Sequence, residues 1–321
     1  MEMEPDTALR HDPEVTMMRG RRDFFRALGL ATALGGGLAL VGGNQSAHAQ
    51  AAAPTDVDVL NFALNLEYLE SNFYSIAVLG ETLPANLQTG TGTPGPVTGG
   101  RQVTFTDSVV ARLAREITLN ERTHVAFVRG QLGSAAIAQP AIDLSVSPTS
   151  AFSVAARSAG LIGEGQAFDP YASEENFLLA AFLLEDVGVT AYKGAAPLLT
   201  NKTFIDASAG ILAVEAYHSA MLRTSIHMKG MATPAVFDQS EAISNARDAL
   251  DGPADLDQGV RPTGSGDTLT SNIAPTDANG ITFGRTAGQV LNIAYLSRTS
   301  TDRGGFFPNG VNGNIRLSAA N

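Results

Sequence analysis

The chain contains no cysteine and no tryptophan, and only five histidines among its 321 residues. Without cysteine there is no disulfide scaffold, thiolate zinc site, iron–sulfur cluster, thiolate-ligated haem or cysteine nucleophile. Any bound metal must therefore be held by oxygen and imidazole. Basic residues are also scarce, with 21 Lys and Arg against 32 Asp and Glu and a formal net charge of −11. Such a surface repels phosphate backbones and argues against a nucleic-acid partner. Glycine-rich phosphate loops after a strand and Ser–His–Asp arrangements are missing as well. What remains is a chain that is 44% apolar and 17% charged, enough to bury a core in one large domain or two small ones.

The N-terminus reads as an export signal. Gly20-Arg21-Arg22-Asp23-Phe24-Phe25-Arg26 precedes an apolar, glycine-rich stretch from Ala27 to Gly43, and Ala47-His48-Ala49 follows as a small-residue cleavage site. Arg21 and Arg22 followed by Phe24 and Phe25 resemble the twin-arginine export signal. The alternative, a membrane anchor, is disfavoured by the glycines and by a length below the ~20 residues needed to span. The expected organisation is a signal over 1–49, a helical domain over 50–230 and a loop-rich C-terminal extension over 231–321. The destination is periplasmic or secreted, with no membrane association once the signal is removed. Proteins exported this way often fold around a cofactor first, which favours a metal loaded in the cytoplasm. Of the histidines, only His124, His218 and His227 remain in the mature chain.

Four long stretches carry helical signals. The first runs from about Asp56 to Leu79 with Thr55 or Asp56 as cap, and the second from about Thr106 to Leu132 with Gly133 as the stop. The third runs from Ser173, with Glu174 and Glu175 in its first turn, to near Pro197, and the fourth from about Asp206 to Lys229-Gly230. The predicted fold class is all-α, a four-helix bundle with one long crossover between the second and third helices and an irregular C-terminal extension. A short helix is expected over Ala151–Ala159, in the crossover, and another over about Thr286–Leu296. Residues 231–321 otherwise read as loop, wrapping the bundle. The Phe306 and Phe307 side chains of Gly304-Gly305-Phe306-Phe307-Pro308-Asn309-Gly310 require an apolar surface, which the bundle offers.

Two of the three mature histidines share one local pattern. Glu121-Arg-Thr-His124 lies on the second helix and Glu215-Ala-Tyr-His218 on the fourth. Spacing of i, i+3 puts a carboxylate and an imidazole on one helix face, so both pairs can reach one centre in a bundle. The other two helices carry Glu67 with Tyr74 seven residues on, and Glu185 with Tyr192 seven residues on. Both acids sit in apolar runs, where an unpaired carboxylate costs several kcal/mol or must take up a proton. The order Glu, Glu-x-x-His, Glu, Glu-x-x-His is the ligand arrangement of di-iron and di-manganese carboxylate bundles. Glu70 rivals Glu67, one turn away on the same face. Glu67 is preferred because it keeps the spacing to tyrosine repeated at Glu185. Glu81, Glu116, Glu164 and Asp186 read as solvated charges, and His227 as a surface residue near a helix C-terminus. Tyr68, Tyr217, Phe62 and Phe73 read as packing.

With these residues in view, the sequence resembles the ferritin-like superfamily, and within it the desiccation-related or ferritin-like domain proteins. The resemblance rests on Asn61-Phe-Ala-Leu-Asn-Leu-Glu67-Tyr-Leu-Glu70, Glu121-x-x-His124, Glu185, Glu215-x-x-His218 and the Gly-Gly-Phe-Phe-Pro-Asn-Gly turn, and spans about residues 55–310. It implies that Glu121 and Glu215 bridge two Fe or two Mn ions, that Glu67 with His124 completes one metal, and that Glu185 with His218 completes the other. Tyr74 and Tyr192 are then hydrogen-bond donors that orient ligand carboxylates. The long loops and the C-terminal extension depart from cage-forming storage ferritins, so a mineral-storing shell is not expected. The implied activity is that of an exported oxidoreductase acting on peroxide, dioxygen or ferrous iron in stress protection. Its partner is a small-molecule oxidant, and a homo-oligomer is allowed. The alternatives are a manganese catalase and a non-enzymatic desiccation-related scaffold with a vestigial site.

Overall fold

Thr55 opens the first helix. Its hydroxyl accepts the Asp58 amide at 3.2 Å while the Asp58 carboxylate accepts the Thr55 amide at 2.8 Å, a reciprocal cap. The computed structural model describes residues 53–321, so the twin-arginine motif and its cleavage site lie outside the described residues. Helix α1 spans Asp56–Tyr74 and passes into a π-helical turn over Ser75–Leu79, which Gly80 ends at φ +75°. Helix α2 spans Ser108–Leu132, capped by Asp107. The short α3, Ala151–Ser158, lies in the crossover. Helix α4 spans Glu174–Ala195 and starts at the expected Ser173 cap. Helix α5, Lys202–Ala232, begins earlier than Asp206 because Asn201 accepts the Thr203 amide and caps it.

The described chain is mostly helical, and the bundle is built from α1, α2, α4 and α5. Helix α1 packs chiefly on α2, and α4 on α5, with further contacts joining the two pairs. The members differ in burial. Helix α2 buries one stripe (Val110, Ala114, Ile117, Glu121, His124, Val125 and Val128), whereas α1 is buried without interruption from Val59 to Tyr74 and α4 from Phe177 to Tyr192. A helix that buries its whole circumference must be covered on its back. Loops cover α1: the Asn61 amide donates to the Ala135 carbonyl at 3.0 Å and accepts the Ile137 amide at 3.1 Å, and Asn72 donates to Gln139 at 2.8 Å. Within that cover, β1 (Val97–Thr98) and β2 (Ile142–Asp143) form a two-stranded parallel pair.

The C-terminal residues complete the cover. Here the sequence expectation of a mostly irregular segment is corrected. A 17-residue helix, α6, spans Ala235–Asp251 and packs on α4 and α5. Helix α7, Ala287–Tyr295, falls where it was expected, capped by Thr286, and packs on α4 and α6. Both phenylalanines of the glycine-rich turn are buried. Phe306 meets Phe152 of α3 edge to face at 4.9 Å, and Phe307 packs edge to face on Tyr295 at the end of α7. Near the chain end, Asn312 binds three segments at once. Its backbone exchanges hydrogen bonds with the Asn65 side chain on α1 at 3.0 and 2.9 Å, and its amide bonds Thr93 and Ala138 at 2.9 Å. Among the described residues, no helix is long and apolar enough to cross a membrane.

Candidate metal centre

The six residues singled out in the sequence converge on the bundle axis. One ligand atom each from Glu67, Glu121, His124 and Glu215 lie within 4.8 Å of one another, and so do one each from Glu121, Glu185, Glu215 and His218. Glu121 and Glu215 belong to both groups, which is the placement expected of bridging carboxylates. Their positions follow from local structure: the i, i+3 pairs on α2 and α5 put each acid one turn before its histidine, on the buried stripe. His124 Nδ1 lies 3.4 Å from Glu67, 3.5 Å from Glu121 and 3.4 Å from Glu215, while His218 Nδ1 lies 3.0 Å from Glu121 and 3.6 Å from Glu185. The two imidazole rings stand 5.9 Å apart.

Despite this crowding, hydrogen bonds do not satisfy the cluster. One oxygen of Glu67, both oxygens of Glu121, Glu185 and Glu215, and the Nδ1 atoms of both histidines are buried without a hydrogen-bond partner among the described residues. A fold ordinarily leaves few such atoms, because each costs on the order of 1–3 kcal/mol. Here they face one another, so the donor set fits a hard divalent cation, which accepts carboxylate oxygen and neutral imidazole.

The electrostatics carry the same message. Burial, and then the Glu121 charge, pushes the Glu67 carboxyl up to about 7. Burial and neighbouring acids raise Glu215 well above the usual carboxylate range, and burial raises Glu185. Burial acts against charge on Glu121 too, but the two imidazoles close beside it outweigh that and hold the carboxyl at about 2. Burial likewise opposes charge on His218, and the Glu185 charge and the Glu121 carboxylate close beside the ring overcome it, raising the imidazole to about 11. Protons on the histidines stand in for the positive charge that the acids demand.

The tyrosines work crosswise. The Tyr192 hydroxyl of α4 donates to Glu67 on α1. Tyr74 of α1 is buried with its hydroxyl beside Glu185 on α4, without closing a hydrogen bond among the described residues. Glu70 is also buried, but it stands outside both four-residue groups, in line with the preference for Glu67. Burial, followed by the charges of Glu215, Glu185, Glu121 and Glu67, drives its carboxyl well above the usual range.

Sequence reasoning missed three features. The Asn120 side-chain amide sits 3.2 Å from His218 Nε2. Its Nδ2 faces the ring and donates to Nε2 where that atom carries the lone pair, which orients the imidazole. No sequence signal exists for this pairing across two helices. Gly188 is the second: a Cβ there would lie 2.4 Å from Glu215 and 3.1 Å from Glu70. The third is Asp186. Read as a solvated charge, it is instead buried, taking hydrogen bonds from Ser219 at 2.6 Å, Arg223 at 2.8 Å and Arg247 at 3.2 Å. Glu81, Glu116 and Glu164 are exposed, and His227 is half-buried against Phe237, away from the site.

A helical bundle that aims alternating Glu and Glu-x-x-His residues at its axis is a carboxylate–histidine bundle of the kind that binds metals. The ferritin-like domain family matches residues 55–228, and the chain belongs to it. The chain is 28% identical over 269 residues to a ferritin-like catalase, Nec2, of Nesocodon mauritianus, covering 81% of this chain and 84% of that protein. It is 29% identical over 270 residues to the desiccation-related protein PCC13-62 of Craterostigma plantagineum, covering 81% and 83% of the two chains.

Proposed function

We propose that this protein holds two divalent iron or manganese ions between Glu67, Glu121, His124, Glu185, Glu215 and His218 and uses them on peroxide or dioxygen in stress protection. The observation that carries the reading is the set of buried, unpartnered carboxylate oxygens and imidazole nitrogens that face one another. Four carboxylates supply the charge that two divalent ions balance. When bound, such a pair supplies two one-electron changes, enough to reduce a peroxide or to oxidise one. The chain's own work is to orient and insulate: Tyr192 fixes Glu67, Asn120 fixes His218, and the continuous burial of α1 and α4 keeps bulk water away. The twin-arginine resemblance over residues 1–49 supports a periplasmic or secreted destination. The name of the Nesocodon relative favours disproportionation of peroxide as the specific reaction.

Metal analysis and oxygen-electrode assays of protein from its native export route test the proposal. About two equivalents of Fe or Mn per chain, with loss or disproportionation of peroxide, are expected. Less than about half an equivalent with no peroxide activity overturns it and favours the scaffold reading.

A further inference from the structure

An apolar cavity of about 30 Å³ has in its lining Glu70 and Gly188, both neighbours of Glu215 in the candidate metal centre. That is room for one or two molecules the size of water. Its bundle side is Leu66 of α1 with Leu183 and Val187 of α4, and its other side is Val290 and Ala294 of α7 with Phe306. Leu66, Leu183 and Val187 retain 7%, 9% and 8% exposure although they lie within helices that are otherwise closed, as expected of side chains bordering a void. Glu70 and Gly188 complete the lining on the bundle side. Gly188 is what brings the wall close to the acids: a Cβ there would lie 2.4 Å from Glu215 Oε2 and 3.1 Å from Glu70 Oε1, so the Glu215 carboxylate packs directly on the backbone that lines the cavity.

We infer that this cavity is where a small neutral oxidant, dioxygen or hydrogen peroxide, is held on its way to the metals, and that Ala294 and Val290 of the C-terminal extension set its size. The inference rests on the proposed function for its destination, but the cavity can be tested without metal. Apolar walls accept dioxygen at little cost, whereas hydrogen peroxide must replace its lost water contacts at the Glu70 carboxyl, and a hydrated cation is rejected because its desolvation is far more expensive. Ferrous ions must therefore reach the acids by another path, so oxidant and metal arrive separately. The wall also gives the extension a role besides covering: the bundle supplies the acids, and α7 with Phe306 supplies the filter.

Methyl NMR of the metal-free protein under dioxygen pressure reads the cavity directly. Paramagnetic broadening of the Val187, Val290 and Ala294 methyls is expected to exceed by several-fold that of Ile117 and Val125, which are fully buried on α2. Ala294→Phe should abolish the excess, and Val290→Ala, which enlarges the space, should increase it at Ala294. In loaded protein, Ala294→Phe should slow oxidation of the reduced metals by dioxygen, by peroxide or by both at least tenfold, with metal content unchanged. Whichever oxidant is slowed is the one that uses the route. Equal broadening at all five methyls, or oxidation by both oxidants within twofold of wild type in Ala294→Phe, overturns the inference. If neither protein binds metal but the broadening follows the variants, the cavity stands and the proposed function falls.

Discussion

Two buried charge clusters lie on neighbouring residues of the same two helices, and they are built on opposite principles. Glu185 and His218 face the bundle axis, while the next residues, Asp186 and Ser219, face the C-terminal extension. On that second side three fully buried arginines meet three buried aspartates. Arg223 places all five of its donor hydrogens, on Asp186 and on the carbonyls of Gln258, Gly259, Asn272 and Ile273. Arg247 lies over the Phe182 ring and joins Asp186 to Asp257, and Arg285 joins Asp257 to Asp251 and Thr190. This cluster is neutral and largely hydrogen-bonded. The other has a surplus of acid and a core of atoms with no partner. Burial of charge alone therefore does not mark function. The sign is charge that the fold has gathered and left unbalanced.

If the comparison is right, one substitution on each side should move stability in opposite directions. Arg247→Ala leaves Asp186 and Asp257 buried without their shared partner and is expected to destabilise by about 3–5 kcal/mol in urea denaturation. A loss under 1 kcal/mol would put the two clusters in the same class. Glu215→Gln removes one of the crowded acids and provides a donor for its neighbours. In the metal-free protein it should be neutral or stabilising by about 1 kcal/mol, while calorimetric titration with Mn(II) should lose at least one of two sites. The smallest effect is at the rim of the balanced cluster, where burial, and then the Asp257 charge, raises the Asp248 carboxyl to about 7. A carboxyl raised in the folded state contributes stability that is complete below its unfolded value of 3.8 and disappears as pH rises through about 7. Asp248→Asn should therefore melt about 2–4 °C above wild type at pH 8 and with it at pH 3.5.

The contrast also explains what could be read from sequence. The axis-facing residues are legible because Glu121 with His124, and Glu215 with His218, repeat one i, i+3 pattern, and because Glu67 and Glu185 interrupt apolar runs. The balanced cluster hides the helix that carries it. Helix α6 buries Val236, Phe237 and Ile243, but the rest of its inner face is Ser240, Ser244, Arg247 and Asp251, so an apolar periodicity search sees a polar segment. Asp186 was unreadable for the same reason, since its partners Arg223 and Arg247 lie 37 and 61 residues away. Glu67 could be preferred over Glu70 only through its spacing to a tyrosine. The geometry shows why the two differ: one faces the histidine of α2, while the other stands at the cavity beside Gly188.

The bonds from Asn312 to Asn65 join residues 247 apart in the chain. During synthesis at roughly 5–20 residues per second, the first helix would wait some 12–50 s for its last neighbour to be made. Until then the Asn65 side chain has only the Asn61 carbonyl of its own helix to bond. The cover of the first helix is therefore finished from the far terminus: a nascent chain short of its final ten residues lacks the backbone groups that Asn65 bonds.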